Sequence, residues 1–480
     1  MKKFLAALLI VSMAFALFAC AGGGGSPGSP ASSASSAPPA SPSGDAVNET
    51  VAKALARIAQ IQKPPNSPLV EIKQPTLTLD ERKAMSQHEI YSYEEYISIV
   101  GMLPPYEESR AHLEKALPDK KYDTIRIGAA LNFLGAAYFA GVEEAIRLGC
   151  QEYGFDYTIL ICDFDTNLQN SHIDQFLMEK YDCIVIDPSD PLASVSMVKR
   201  CVDAGIPVIT MGEVLGNVVS QNVTTLTVGQ YEAAFQVGLY VAEKFKDKEI
   251  IAGVLLGMFG STSAEAHTNG QVGGIIYERS KQYGIEISKE DAMLKGQILW
   301  EEVRNTGKGA LPELDFAIAV SNGGGDWTEE GGMKCGEEMI LATNGTMNLC
   351  ISDNDVMALG AMRAIEQMGY PIGPDGVQFS GCGDSYGPAL AAIKDGKILV
   401  TAFGSPYAIA RSTIDLAKKI FIDGYDANNM CSLTVLPVVV ITADNVDKFY
   451  DPAFEYAFGV EMELYTVDDH NAGNGLKYYK

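Results

Sequence analysis

The chain has 480 residues, and its 36 Lys and Arg against 61 Asp and Glu give a formal net charge of −25. That balance excludes nucleic acid or an anionic membrane surface as the main partner, because phosphate binding needs clustered basic groups. Roughly 430 residues follow the first 45, more than one ordinary domain holds, so two lobes are the expectation.

In chain order, residues 1–19 read as a signal peptide: Lys2 and Lys3 precede an apolar run to Phe18, followed by Ala19 and Cys20. Leu17-Phe18-Ala19-Cys20 resembles the lipobox of bacterial lipoproteins, with Phe18 bulkier than the usual small residue. The resemblance implies cleavage before Cys20 and a lipid on its thiol. Residues 20–45, rich in Gly, Ser and Pro, have no large apolar residue to bury and are expected to form a flexible tether. Residues 46–122 predict a helical extension: Val51, Leu55 and Ile58 fall at helical spacing, and Thr78 with Glu81 forms a capping-box pattern. Pro64-Pro65, Pro104-Pro105 and Pro118 break it into short pieces. Its expected role is a collar packed on the main body, with a partner-contacting segment as the alternative.

From Asp123 the texture changes to short apolar runs separated by amphipathic stretches. TIRIGAAL, YTILICD, CIVIDPS and PVITMGE form one series, and IIAGVLLG, FAIAVSN, NLCISDN, VQFSGCG and ILVTAFG form a second. The spacing is that of βα repeats, so the fold class is α/β, with two doubly wound lobes around parallel central sheets. Ligands bind such sheets beyond the carboxyl ends of the strands, which directs attention to the residues that end each run.

Catalytic signatures are sparse. The five His show no H-E-x-x-H pattern, and neither G-x-S-x-G nor a phosphate loop occurs. Gly381–Gly387, GCGDSYG, comes near a dinucleotide fingerprint but has its third Gly one position late, and a tight strand-to-helix turn is the simpler account. Asp163, Asp165, Asn167 and Asp174 match part of a calcium loop, yet Leu168 stands where the turn needs Gly, so a polar loop with a capping residue fits better. Eight Cys besides Cys20 include no C-x-x-C pair and several sit in apolar runs, as buried free thiols would; disulfides stay open. Asp353, Asn354 and Asp355 stand together between an apolar run and a helix start, where they could hold a metal, move protons, cap the helix or grip a polar ligand.

IRIGAALNFLGAAYFAGVEEAIRLG, YDCIVIDPSDPLAS, AGIPVITMG, NDVMALGAMRAIEQMG and AIKDGKI, in that order, resemble the ribose-binding-protein type of periplasmic sugar-binding proteins. The resemblance implies two Rossmann-like lobes joined by a three-strand hinge, a sugar in the cleft between them, and no catalysis or cofactor. It places the first lobe at 123–228 and 404–430, the second at 229–403 and 431–465, and a tail at 466–480. It also assigns ligand-facing roles: Tyr138, Phe139 and Trp327 as rings against the apolar faces of a sugar, and Asn132, Asp187, Asn354 and Asp384 on its hydroxyls. Core packing is the alternative for the rings, and helix capping for the polar residues. Asp355 then reads as the helix cap or turn-former, and Asp353 carries no role.

The departures are Gly212-Glu213 for the family's Asp-Arg pair, Gln271 at its cleft Arg position, Gly404 for its late hinge Gln, and three extra residues before the aromatics. Losing a carboxylate and a guanidinium disfavours ribose and points to a different or less ionic polar ligand at a site that includes Gln271. An insertion at 284–312 enlarges the second lobe. The resemblance implies an extracytoplasmic, lipid-anchored solute-binding protein that serves the permease subunits of an ABC importer with its cytoplasmic ATPase. A receptor for a membrane sensor or chemoreceptor, or a binder of a nucleoside or other small polar ligand, is the alternative, with a cleft hydrolase using Asp187 and Asp384 a further one.

Overall fold

A computed structural model describes residues 122–212, 224–228, 230–259, 261–426 and 433–457. The expected signal peptide, Cys20, the tether, Glu213, Cys431 and the tail lie outside these residues, as does the helical extension except for Tyr122.

Two sheets form. The first has the order β12-β5-β4-β3-β1-β2 and is parallel throughout. Its strands are β1 Arg126–Leu131, β2 Asp156–Ile161, β3 Cys183–Ile186, β4 Val208–Met211, β5 Thr224–Val228 and β12 Leu433–Leu436. The second has the order β13-β11-β10-β9-β6-β8-β7. Its strands are β6 Ile250–Leu255, β7 Gly309–Leu311, β8 Phe316–Asn322, β9 Leu349–Ser352, β10 Gln378–Ser380, β11 Val400–Ala402 and β13 Val440–Thr442. Only the edge strands β7 and β13 run antiparallel to their neighbours. The expected runs form β1–β4, β6 and β8–β11, and they are near-continuous apolar stretches because parallel sheets are covered on both faces.

Helices fill the connections. In the first lobe these are α1 Ala137–Tyr153, α2 Thr166–Met178 and α3 Pro191–Asp203. In the second they are α4 Gln230–Lys244, α5 Thr262–Gln282, α6 Lys289–Thr306, α7 Glu329–Ala342, α8 Asp355–Gln367 and α9 Gly387–Lys394. Helix α10, Pro406–Phe421, returns to the first lobe. Buried Val142, Ala145, Ile146 and Cys150 mark the inward stripe of α1, and Gly154 closes that helix in the left-handed region, its N–H donating to the carbonyls of Cys150 and Gln151. Helix α10 packs along α1, where a Cβ on Gly149 would lie 3.1 Å from Ile414.

The chain passes from the first sheet to the second after β5, back after β11, and across again between β12 and β13. The last crossing corrects the expected boundary. Residues 433–436, placed with the second lobe, pair in parallel with β5, so the first lobe recovers a strand before the chain leaves it.

Helices α4 and α5 approach through glycine. A Cβ on Gly238 would lie 2.2 Å from the Gln271 carbonyl oxygen, and one on Gly274 2.1 Å from that of Phe235. The insertion supplies α6 and β7, which cover α5 and extend the sheet edge. Its Trp300, fully buried, donates its indole N–H to Glu265.

Candidate ligand-binding cleft

The carboxyl ends of both sheets line one cavity of about 820 Å³, within the range of small-molecule sites. Asn132 follows β1 directly and Asp187 follows β3; from the other lobe Asp353 and Asn354 follow β9, with Asp384 beyond β10 and Trp327 beyond β8. Together with Tyr138 and Phe139 at the start of α1, seven of the eight residues expected to face ligand line this space.

Gln271 is the exception and a correction. It is fully buried on α5, where its Nε2 donates to the Ser352 carbonyl at 2.8 Å and its Oε1 accepts from the Ser380 hydroxyl at 2.6 Å. The amide thus braces the ends of β9 and β10. The sequence TNGQVGG reflects the close α4–α5 crossing rather than a ligand contact.

Asn354 and Asp355 exchange their expected roles in helix capping. Asn354 is the N-cap of α8, its Oδ1 accepting from the Met357 N–H at 2.9 Å, and its two Nδ2 hydrogens are not used by that bond. Asp355 is a buried anchor instead: it accepts from the Thr401 hydroxyl of β11 and from the Tyr386 N–H at 3.2 Å. Its carboxylate also explains Gly381, where a Cβ would lie 2.2 Å from Oδ1. Asp384 accepts the Asp355 N–H at 3.2 Å, placing a carboxyl oxygen at the N-terminus of α8.

Three carboxyls are therefore packed together, and burial raises the pKa of each. Asp353 is pushed up to about 7. Asp355 rises, and Asp384 rises well above the ordinary range, with the charges of Asp355 and Asp353 adding to its burial. Asp353, 1% exposed, accepts the Gly257 N–H at 3.0 Å on Oδ2 and interacts with the side chain of Trp327, while its Oδ1 has no hydrogen-bond partner among the described residues.

Sequence reasoning missed His267. It stands on α5 with Nδ1 2.7 Å from the Asp353 carbonyl, which can only accept, so Nδ1 carries the proton and Nε2 is left an acceptor. Burial depresses its pKa to about 4, so the ring is neutral. Nε2 has no partner, and the ring lines the cavity against Gly383, where a Cβ would lie 2.7 Å from Cε1. No motif flags a lone helical His of this kind. Tyr456, far along the chain, also reaches the cavity and packs edge-on against Tyr138 with centroids 6.3 Å apart.

Trp327 is held by its loop. Gly325 and Asp326 donate to the carbonyls of Leu256 and Gly257 at 3.1 and 3.0 Å, and the indole lies on Gly257, where a Cβ would sit 2.2 Å from Cε2. In the other lobe, the additional residues before Tyr138 contribute Phe133, which does not line the cavity itself. This ring packs on the cavity-lining Phe139 at 5.9 Å and Phe164 at 5.1 Å between centroids, backing an aromatic wall. Two departures also resolve. Gly404 has no room for a side chain, since a Cβ would lie 1.9 Å from the Gly383 carbonyl oxygen, and Gly212 has φ 78° with Asp187 directly over it. The calcium-like loop is a cap: Asp165 accepts from the Asn167 and Leu168 N–H groups at 2.8 and 3.2 Å, and Asp174 pairs with Arg200.

Residues 127–424 match the periplasmic binding protein domain family, and the chain belongs to that family, whose members work outside the cytoplasm. Its curated relatives include a D-ribose/D-allose-binding protein of Pseudomonas aeruginosa, 24% identical over 331 residues, covering 66% of this chain and 89% of that protein. Another is a ribose import binding protein of Bacillus subtilis, 22% identical over 295 residues, covering 61% of this chain and 81% of that one. Among solved structures, a periplasmic solute-binding protein of an ABC transporter from Actinobacillus succinogenes, with bound D-allose, superposes with a TM-score of 0.54. It is 18% identical, and the match covers 68% of this chain and all of that one.

Proposed function

We propose that the protein captures a small hydroxylated ligand, a monosaccharide or close relative, in the cleft between its lobes and delivers it to an ABC importer. The carrying observation is the composition of the cavity: Tyr138, Phe139 and Trp327 offer flat apolar surfaces, while Asn132, Asp187, Asn354 and Asp384 line its polar parts. A sugar ring has the same division, with C–H faces and a hydroxyl rim. The sugar-binding names of its relatives support the class. Bonds made to both lobes favour a closed arrangement, which the membrane partner recognises. Cys20 carries the lipid that keeps the protein at the membrane. The chain performs no covalent chemistry in this role and needs no cofactor.

A thermal-shift screen of the full chain against sugars, polyols, nucleosides and amino acids tests the class. A ligand at 100 times its dissociation constant adds about 2.7 kcal/mol to stability. Stabilisation by a sugar or cyclitol, weakened markedly in Trp327→Ala, is expected; stabilisation by an amino acid and by no sugar would refute the proposal.

A further inference from the structure

The charge on the cavity wall is one-sided. Asp187, Asp190, Glu329, Asp353 and Asp384 line it, and none of its described lining residues is Lys or Arg. Glu329 is paired with Arg363, which lies outside the cavity, and Asp190 caps α3 by accepting from the Ala193 N–H at 2.8 Å. Among the described residues, Asp353 and Asp384 form no ion pair with Lys or Arg.

Unpartnered atoms provide an independent observation. Four buried polar atoms on residues of this cavity have no hydrogen-bond partner among the described residues: Asn132 Oδ1, His267 Nε2, Asp353 Oδ1 and the Tyr456 hydroxyl. The first three belong to side chains at least nine-tenths buried; Asn132 Oδ1 accepts, His267 Nε2 accepts because the Asp353 carbonyl fixes its tautomer, and Asp353 Oδ1 accepts in the ionised form that a neighbouring cation favours. A buried acceptor without a donor is costly, and a buried carboxylate without a positive charge more so. The missing complement is a group rich in donors, free of lone pairs and positively charged. A hydroxyl supplies a donor but brings lone pairs of its own and no charge. An ammonium supplies three donors and the charge.

We propose, building on the hydroxylated-ligand reading above, that the cleft is specific for an amino sugar or aminocyclitol, its protonated amine seated against the Asp353 carboxylate and His267 Nε2. The aromatic wall and Trp327 then take the ring faces, and Asn132 accepts from the ligand on the opposite lobe. The single proton of the His267 ring stays on Nδ1, directed at the Asp353 carbonyl, so the imidazole adds a lone pair and no competing charge.

The test is calorimetric titration of the full chain at pH 7 with D-glucosamine, D-galactosamine and an amino-deoxyinositol. Each is compared with its parent hydroxyl compound and its N-acetyl form. At least one amine is expected to bind about tenfold or more tighter than both neutral counterparts, and Asp353→Asn to weaken that amine by about tenfold or more beyond any weakening of the parent compound. Asn at this position keeps the shape and an oxygen for the Gly257 N–H. Should the variant fail to fold, the comparison of amine, parent and N-acetyl forms on the native chain decides alone. A parent sugar or cyclitol that binds as tightly as its amine overturns the proposal and leaves the hydroxylated-ligand reading standing. Failure of all three sets to bind overturns the amine proposal, whereas the hydroxylated-ligand reading falls only if the thermal-shift screen finds an amino acid and no sugar that stabilises the chain.

Discussion

Gly257→Ala is expected to impair binding by pushing on Trp327, whose indole supplies the three atoms nearest to the added Cβ. The added Cβ would lie 2.2, 2.3 and 2.5 Å from Cε2, Cδ2 and Nε1 of the indole. Carbon atoms in contact sit about 3.5–4.0 Å apart, so the ring must retreat by roughly 1 Å or more. Overpacking of this kind costs about 1–3 kcal/mol. Gly257 is not in the left-handed region, so alanine adds no backbone strain and the clash acts alone. The loop also resists yielding, because Asp326 donates to the Gly257 carbonyl and Gly257 to Asp353. Calorimetry with the ligand found by screening should show about tenfold or greater weakening, accompanied by a lower melting temperature. Adding Trp327→Ala to Gly257→Ala removes the clash, so the double variant should be no less stable than Trp327→Ala itself, a clear departure from additivity. Binding and melting of Gly257→Ala indistinguishable from wild type would refute the account of the indole resting on this backbone.

Two further outcomes follow from buried charge. Asp353 has a folded-state pKa of about 7 against an ordinary 3.8; between those values the native state keeps a proton that the unfolded chain releases, so this group's contribution to stability falls as pH rises through 7. His267, depressed to about 4, acts in the opposite sense below 6.5, while Asp355 and Asp384 act with Asp353. The clean measurement is therefore a difference: the melting temperature of Asp353→Asn relative to wild type, without ligand, should rise from pH 5 to pH 8, and parallel curves would contradict it. Arg279, fully buried, donates to the carbonyls of Leu314, Phe245 and Lys246. Arg279→Met strands them and should cost about 3 kcal/mol in chemical denaturation, yet leave ligand affinity within about twofold because His267 lies 12 residues away on α5, about 18 Å along a helix.

The sheets were legible because each parallel strand is an apolar run bounded by amphipathic helix, and the site's outline followed from the carboxyl ends of those runs. Asn132 and Asp187 directly follow β1 and β3, and Asn354 stands two positions past β9, so the strand ends drew attention to them and the family resemblance assigned their ligand-facing roles. Strands β5, β7, β12 and β13 escaped notice. TTLTV of β5 is polar in tone, β7 and β13 have three residues each, and β12 gains its identity only by pairing with β5 across some two hundred positions. Gln271 was misplaced because a resemblance assigns a position, whereas its environment depends on how closely α4 and α5 approach. His267 and Tyr456 were missed for the converse reason: each reaches the cavity from an element with no local motif. At Asn354 and Asp355 the residue types fit several roles, and only the dihedral start of α8 and the position of Thr401 separate cap from anchor.

The late return of the chain to its first sheet governs the order in which the molecule can be completed. β5 waits for β12, and α1 waits for α10, whose Arg411 reaches Glu152 at 2.6 Å. The first residue described, Tyr122, donates its N–H to the Phe421 carbonyl at 3.1 Å. The amino-terminal lobe is thus unfinished until nearly the whole polypeptide has been synthesised, its β5 edge lacking the strand that covers it. Closure across such separations is slow, because the entropy of a long loop must be overcome before any native contact compensates. In this member of an extracytoplasmic family, the amino-terminal lobe therefore cannot be completed by amino-terminal residues alone, since β12 and α10 must first be in place.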